Sequence, residues 1–269
     1  MDILQVIAKK TKERVVGLKK EIPLSAVKEA ASRLSVSPPS FYEALHNDPI
    51  ALICEVKRAS PSKGMISRDF PYLSIAEEYE RAGASAISCL TEPFYFLGKS
   101  QYLREITAAV KIPTLRKDFT VDEYMIYEAK ILGASAVLLI CSILSERQLR
   151  EYLEIARSLG LDALVETHSE EEIDLAVRSG ARIIGVNNRN LRDFTVDLNH
   201  SIRLREKVPK DRIFVSESGI RTPEDIQALR KNGVDAVLIG ETLMKSGNIT
   251  GEIRRLKNGD KRVDRIDEN

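Results

Sequence analysis

Tryptophan is absent from these 269 residues, histidine and cysteine occur three times each, and aromatics make up only 6%. So few rings leave little for a base-stacking surface. A formal net charge of +1 gives no global attraction to nucleic acid or to an acidic membrane. Cys54, Cys89 and Cys141 lie in apolar runs without C-x-x-C spacing. They read as reduced, packed thiols of a cytoplasmic protein, not as a disulfide or zinc framework. No apolar stretch approaches the roughly 18 residues of a membrane span. The start reads as no signal peptide, because Asp2 and the pair Lys9-Lys10 interrupt any apolar core. No G-x-G-x-x-G follows the first strand-like run, which removes the usual support for a doubly wound open sheet. His46 and His200 lack local partners, and His168 reads as a solvated histidine at a helix start. No histidine joins the carboxylates in metal-ligand spacing.

The chain does have an apolar fraction of 43%, enough for a sizeable core, and an internal echo. Gly83, Gly133, Gly180 and Gly233 each follow a helix-like run and precede a strand-like one, at spacings of 50, 47 and 53 residues. Glycine at that point is the usual helix terminator. One βα unit needs about half that span, so each echo covers two units. Strands are expected at 51–57, 85–90, 112–117, 135–141, 162–166, 182–187, 212–217 and 234–239. Between them lie amphipathic stretches of helical length, such as 145–158 and 222–231. Capping boxes are read at Ser74-x-x-Glu77, Thr120-x-x-Glu123, Ser145-x-x-Gln148 and Ser169-x-x-Glu172, with Thr222-Pro223 as N-cap and first helical residue. Eight alternating units in about 200 residues predict an α/β fold, a (β/α)8 TIM barrel forming a single domain. Residues 1–50 form its N-terminal helical extension, one or two helices over an end of the barrel, with an amphipathic stretch at 25–34. Residues 257–269 form a charged, frayed tail.

The run Ala51-Leu-Ile-Cys-Glu-Val-Lys57 is apolar enough for an interior strand, yet carries two opposite charges. Alternation puts Glu55 and Lys57 on one face and Cys54 and Val56 on the other. Such charges cost several kcal/mol of desolvation unless they are paired or face a wet cavity. A structural ion pair at a sheet end is the plain alternative. In a barrel, however, all strand ends share one face. In order those ends carry Glu55 and Lys57, Leu90, Lys117 with Asp118, Ile140, Glu166, Asn187 with Arg189, Glu217-Ser218-Gly219, and Gly240-Glu241. Six of eight are polar, whereas the opposite ends begin with ordinary residues. Asp118 is read as pointing outward or supporting a turn. The turns at Ser218-Gly219 and Gly240-Glu241 follow strands seven and eight, where this fold commonly binds phosphate. The Glu241 side chain is expected to turn away while its N–H contributes, and Lys57 supplies countercharge from across the mouth.

These residues together resemble indole-3-glycerol phosphate synthases. The resemblance covers about residues 50–245. It rests on Glu55-Val-Lys-Arg-Ala-Ser-Pro-Ser-Lys-Gly64, Leu90-Thr-Glu92, Phe96-Leu-Gly98, Leu115-Arg-Lys-Asp-Phe119 and Val137-Leu-Leu-Ile140. It continues through Leu164-Val-Glu166, Gly185-Val-Asn-Asn-Arg-Asn-Leu191, Ser216-Glu-Ser-Gly-Ile220 and Leu238-Ile-Gly240. Lys99 departs from the small residue usual after the Phe-x-Gly turn. The resemblance implies ring closure of 1-(2-carboxyphenylamino)-1-deoxyribulose 5-phosphate with loss of carbon dioxide and water, without metal or organic cofactor. It implies Lys117 as general acid, Glu166 as base for dehydration, and Lys57 as a substrate contact and second proton donor. Glu55, Asn187 and Glu217 orient these groups. Arg189 pairs with the substrate carboxylate, and Ser60 also contacts substrate. Phe96, Phe119, Leu138 and Ile140 wall the aromatic ring. Ser218, Gly219, Gly240, Glu241 and Lys57 hold phosphate.

A lysine acid working near neutral pH benefits from a lowered pKa, which burial or Lys57 is expected to supply. A phosphoribosylanthranilate isomerase on the same fold fits poorly, since Cys54 alternates away from the charged face. A barrel that merely binds a sugar phosphate needs no Lys57, Lys117 and Glu166 together. The expected partner is a phosphorylated small molecule, neither nucleic acid nor membrane, with a monomer as the default.

Overall fold

The computed structural model describes residues 3–35 and 37–258. Among these, eight parallel strands close into a barrel in sequence order. They are β1 (Ala51–Val56), β2 (Ala86–Leu90), β3 (Thr114–Lys117), β4 (Ala136–Ile140), β5 (Asp162–Thr167), β6 (Ile183–Asn187), β7 (Ile213–Glu217) and β8 (Ala236–Ile239). Every bound lies within two residues of the range expected from the sequence. Alternation holds on β1. Leu52, Cys54 and Val56 join the apolar layer between strands and helices, while Ala51 and Ile53 join the barrel interior. All three cysteines are buried and free. Burial pushes the thiols of Cys54 and Cys141 up to about 12. A thiol held protonated in that way is a packing group and a poor nucleophile.

The extension differs from expectation in number and placement. It forms three helices, α1 (Ile3–Glu21), α2 (Leu24–Ser32) and α3 (Phe41–His46), and they reach both ends of the barrel. Ile3, Leu4 and Ile7 of α1 line the cavity at the C-terminal mouth. At the opposite end, Phe41 and Leu45 of α3 are fully buried with Ala51, Ala86, Ala136 and Ala236. Alanines at the strand starts leave a void that these two larger side chains fill, as close packing requires. α2 packs Val27 against Tyr124 and Met125 and pairs Lys28 with Glu123 at 2.9 Å.

Ser145 and Thr222 form full capping boxes, the latter with Pro223 in the first turn. Ser169 caps its helix by accepting from Glu172 N, but the Glu172 carboxylate turns to His168 instead of closing the box. The other two boxes are absent. Ser74 lies inside the helix Tyr72–Arg81. Asp122, not the buried Thr120, caps Glu123–Ile131 by accepting from Tyr124 N. Of the expected tail, residues 259–269 lie outside the described residues. Lys257 belongs to the helix Ile249–Asn258 and donates to the Gly83 carbonyl.

Candidate active site

The strand ends deliver their charges to one cavity of about 370 Å³ at the C-terminal mouth. That volume suits a drug-sized ligand. Every site residue expected from the sequence lines it. Lys117, on β3, is the hub. Its ammonium lies 3.1 Å from Glu166 Oε2 on β5 and 3.2 Å from Glu217 Oε2 on β7. Asn187 Nδ2 donates to Glu166 Oε1 at 3.3 Å, and Asn187 Oδ1 accepts from the Arg189 backbone N at 3.0 Å. On β1, Lys57 donates to Glu55 Oε1 at 2.5 Å, and Ser88 Oγ donates to Glu55 Oε2 at 3.4 Å.

The electrostatics correct one expectation. Burial alone would lower the Lys117 pKa, but the charges of Glu166, Glu217 and Glu55 outweigh it and raise it above the ordinary lysine value. Lys57 does not act as the lowering cation, since its ammonium is turned to Glu55. Glu166 behaves in the complementary way: burial opposes its charge, and Lys117 and His168 hold its pKa below the usual carboxylate value. Burial pushes Glu217 up to about 7, with Lys117 opposing and Glu166 reinforcing the shift. Glu217 Oε1 is buried with no hydrogen-bond partner, which suits a protonated carboxyl. With that proton in place, two ammoniums face two carboxylates and the ring of charge is balanced.

Two turns complete the floor. Ser218 and Gly219 both take left-handed backbone, with φ of 69° and 89°. Successive amides in a turn make an anion-binding concavity. Asn188 Nδ2 fixes the turn by donating to Ser216 Oγ at 2.9 Å and to Ser218 O at 3.0 Å. Thr242 Oγ1 donates to Ile220 O at 2.8 Å and ties the second turn to the first. A Cβ on Gly240 would stand 2.5 Å from Glu55 Oε1 and 3.1 Å from Lys57 Nζ, so only glycine permits that approach. Across the mouth, the Phe96 and Phe119 rings are 6.2 Å apart, centroid to centroid. Three backbone amides, at Phe94, Tyr95 and Phe96, donate to the buried Glu92 carboxylate and shape that wall. Lys99 leaves this loop intact and sets its ammonium over the Tyr102 ring.

Two side chains sit elsewhere than the sequence suggested, and a third, Asp118, takes the second of its two expected placements. Glu241 does not turn out of the mouth: its carboxylate is 2.7 Å from Lys245, 3.6 Å from Lys63 and 3.8 Å from Arg189. These cations come from three loops around the mouth. Asp118 takes the supporting role, fully buried, accepting from Thr91 Oγ1 at 2.7 Å and from Arg14 of α1 through both oxygens at 2.9 Å. His168 is not a solvated helix-start residue. Its Nε2 is 3.4 Å from Glu166 Oε1 and its Nδ1 is 3.3 Å from Glu172 Oε2. Because His168 follows Glu166 by two residues, alternation along the extended chain already placed the two on one face. Elsewhere, His46 stacks on Tyr42, and His200 Nε2 lies 3.1 Å from the His168 carbonyl oxygen.

A closed parallel barrel with a Lys/Glu cluster and glycine-bearing turns at its C-terminal mouth defines a (β/α)8 enzyme. Comparison with known proteins specifies which. The family model for indole-3-glycerol phosphate synthase matches residues 4–256. The indole-3-glycerol phosphate synthase of Ruminiclostridium cellulolyticum is 57% identical over 95% of this chain and 98% of its own. That of Endomicrobium trichonymphae is 56% identical over 95% and 99%. Among solved structures, a 3-hexulose-6-phosphate synthase superposes with TM-score 0.63 over 77% of this chain and 98% of its own. At 15% identity it shares the fold alone. The chain belongs to the indole-3-glycerol phosphate synthase family. It is a carboxy-lyase of tryptophan biosynthesis, and its partner is the phosphorylated substrate of that reaction. No helix among the described residues is long and apolar enough to cross a membrane.

Proposed function

We propose that Lys117 and Glu166 divide the acid and base work of this ring closure. The observation that carries the reading is the placement of the Lys117 ammonium between the carboxylates of Glu166 and Glu217. In the first step the aromatic carbon bearing the carboxylate attacks the ketone, and Lys117 protonates the carbonyl oxygen as the C–C bond forms. A carbonyl that takes the place of one carboxylate partner leaves the ammonium less stabilised, and so more acidic. The C–CO2 bond then breaks, and its electrons restore the aromatic ring. Glu166 next removes a proton from the adjacent methylene while Lys57 protonates the hydroxyl, which leaves as water.

The other residues hold the substrate to this course. Arg189 presents its guanidinium to the substrate carboxylate, a fork suited to two oxygens. The Ser218-Gly219 and Gly240-Glu241 amides, with Lys57, receive the phosphate. Glu241 takes part through its backbone, while its side chain steadies Lys63, Arg189 and Lys245 around the mouth. Glu55, Asn187 and Glu217 orient Lys57, Glu166 and Lys117 through the contacts given above. Ser60 contacts substrate beside Lys57, and Phe96, Phe119, Leu138 and Ile140 enclose the ring and exclude water.

The division of roles is tested with Glu166→Gln in rapid-quench turnover. Loss of the base stops the reaction after decarboxylation, so the ring-closed alcohol accumulates while indole product falls at least about 100-fold. Product formation at the normal rate without that intermediate would contradict the assignment.

A further inference from the structure

We propose that His168 is the proton-exchange residue for Glu166, linking the buried base to a second cavity that opens to solvent. The inference rests on the reading of Glu166 as the proton-transferring carboxylate.

Glu166 lines the catalytic cavity and His168 does not, whereas His168 lines a neighbouring cavity of about 530 Å³ and Glu166 does not. The rim of this second cavity carries the exposed residues Asn190, Arg192, Thr195 and Asp197, so it reaches bulk water. Glu166 itself is 3% exposed. Its Oε2 is occupied by Lys117 and its Oε1 by Asn187, and His168 Nε2 lies 3.4 Å from Oε1.

The tautomer follows from the second carboxylate. Glu172 Oε2 accepts from the His168 backbone N at 2.7 Å and lies 3.3 Å from Nδ1. An ionised carboxylate only accepts, so Nδ1 carries a proton. A neutral ring then turns a bare Nε2, buried and without a hydrogen-bond partner, toward Glu166. One proton between Nε2 and Oε1 satisfies the bare Nε2, on whichever side it resides. Burial opposes the imidazolium, but the hydrogen bond to Glu172 and the charges of Glu166, Glu172 and Glu217 hold its pKa above the ordinary histidine value. The other titratable and charged groups around the ring are Arg189, Arg192, Asp197 and His200 in the same cavity, and Cys141, whose thiol donates to Glu172 O.

The reaction requires such a path. The substrate carboxylate leaves as neutral carbon dioxide, and the electron pair of its C–C bond stays in the ring. The ketone oxygen leaves as water after taking two protons, and one proton returns from the methylene carbon. Each turnover therefore draws one proton from solvent while substrate fills the catalytic cavity. Before dehydration the imidazolium passes its Nε2 proton to Glu166 Oε1 and Glu166 reloads Lys117 across 3.1 Å. The methylene proton that Glu166 then takes leaves through the same ring to water in the second cavity, and Lys57 recovers its proton from water as product departs.

The test uses His168→Ala and His168→Gln in the full chain, with thermal melts to show that each folds. Steady-state turnover is measured from about pH 6 to 9, in H2O and D2O, with and without imidazole. Loss of the relay should lower kcat about tenfold or more above neutral pH, enlarge the solvent isotope effect and leave KM within about twofold. Imidazole entering the second cavity should restore turnover in His168→Ala. Unchanged kcat and pH profile in both variants would overturn the proposal. So would a loss that neither imidazole nor pH modulates, since that marks a structural role. Normal turnover in Glu166→Gln overturns the base assignment itself. Loss there with normal turnover in His168→Ala overturns the relay alone.

Discussion

The ammonium of Lys117 donates to the carboxylate of Glu166 across 3.1 Å, so the proposed acid and the proposed base are each other's counter-ion. Each raises the cost of neutralising the other. That explains why the lysine is held above its ordinary pKa and the glutamate below its own. It also gives a proton placed on Glu166 a direct way to Lys117.

Glu217 gives this cluster a pH signature in stability. Burial pushes its carboxyl from the ordinary glutamate value up to about 7 in the folded protein. Between those values the folded state binds the proton more tightly than the unfolded chain. This contribution is therefore greatest at low pH and is lost as pH rises through about 7. Glu217→Gln mimics the protonated form and lacks the decline. Denaturant unfolding should show the wild type losing roughly 2–3 kcal/mol relative to Glu217→Gln between about pH 5 and pH 8. A constant difference across that range would contradict the raised pKa.

Arg14 anchors α1 to the residue that follows Lys117. Its guanidinium meets Asp118 through both oxygens at 2.9 Å, and the Asp118 side chain has no exposure. Asp118 keeps Arg116 at 3.6 Å, Thr91 Oγ1 and the Phe119 amide if Arg14 is removed. Arg14→Ala should thus cost about 1–3 kcal/mol in chemical denaturation, short of the full loss of a buried pair. Arg14→Lys should recover much of it, because both contacts come from the single nitrogen Nη2, whose place an ammonium can take. A change within about 0.5 kcal/mol for Arg14→Ala would show that α1 is held by its apolar face alone.

Gly240 sets how closely the turn after β8 approaches β1. A methyl group there meets Glu55 Oε1 and Lys57 Nζ, the proposed orienter and the proposed phosphate contact. Gly240→Ala should lower kcat/KM about 10- to 100-fold, equivalent to about 1.4–2.8 kcal/mol, with a melting temperature reduced by only a few degrees. Wild-type kcat/KM in this variant would show that the Glu55/Lys57 pair can shift without consequence.

Short-range pattern in the sequence carried most of the barrel. Alternation on 51–57 assigned Glu55 and Lys57 inward and Cys54 outward, glycine punctuation marked four of the strands, and the apolar runs between them gave the other four. The ring of polar strand ends followed from topology alone, which is why every expected site residue meets in one cavity. Contacts between distant segments were not legible. Arg14 and Asp118 are 104 residues apart, and no periodicity relates them. The insertion of Ile3, Leu4 and Ile7 into the mouth was hidden for the same reason. The sign of the Lys117 shift was missed because burial and opposite charge act against each other, and only the distances to Glu166 and Glu217 decide between them. Ser74 and Thr120 misled as caps because local capping chemistry recurs inside helices and loops, whereas the actual starts were fixed at Pro71 and Asp122.

The acid role of Lys117 is tested most directly by Lys117→Ala, assayed for indole-product fluorescence with 1-(2-carboxyphenylamino)-1-deoxyribulose 5-phosphate. Product binding is measured in parallel by calorimetry. The account predicts that turnover falls by about 100- to 10,000-fold, the range for a lost general acid. Phosphate-dependent binding of the product should persist, because the Ser218-Gly219 and Gly240-Glu241 turns are untouched. Turnover within about twofold of wild type would contradict the account.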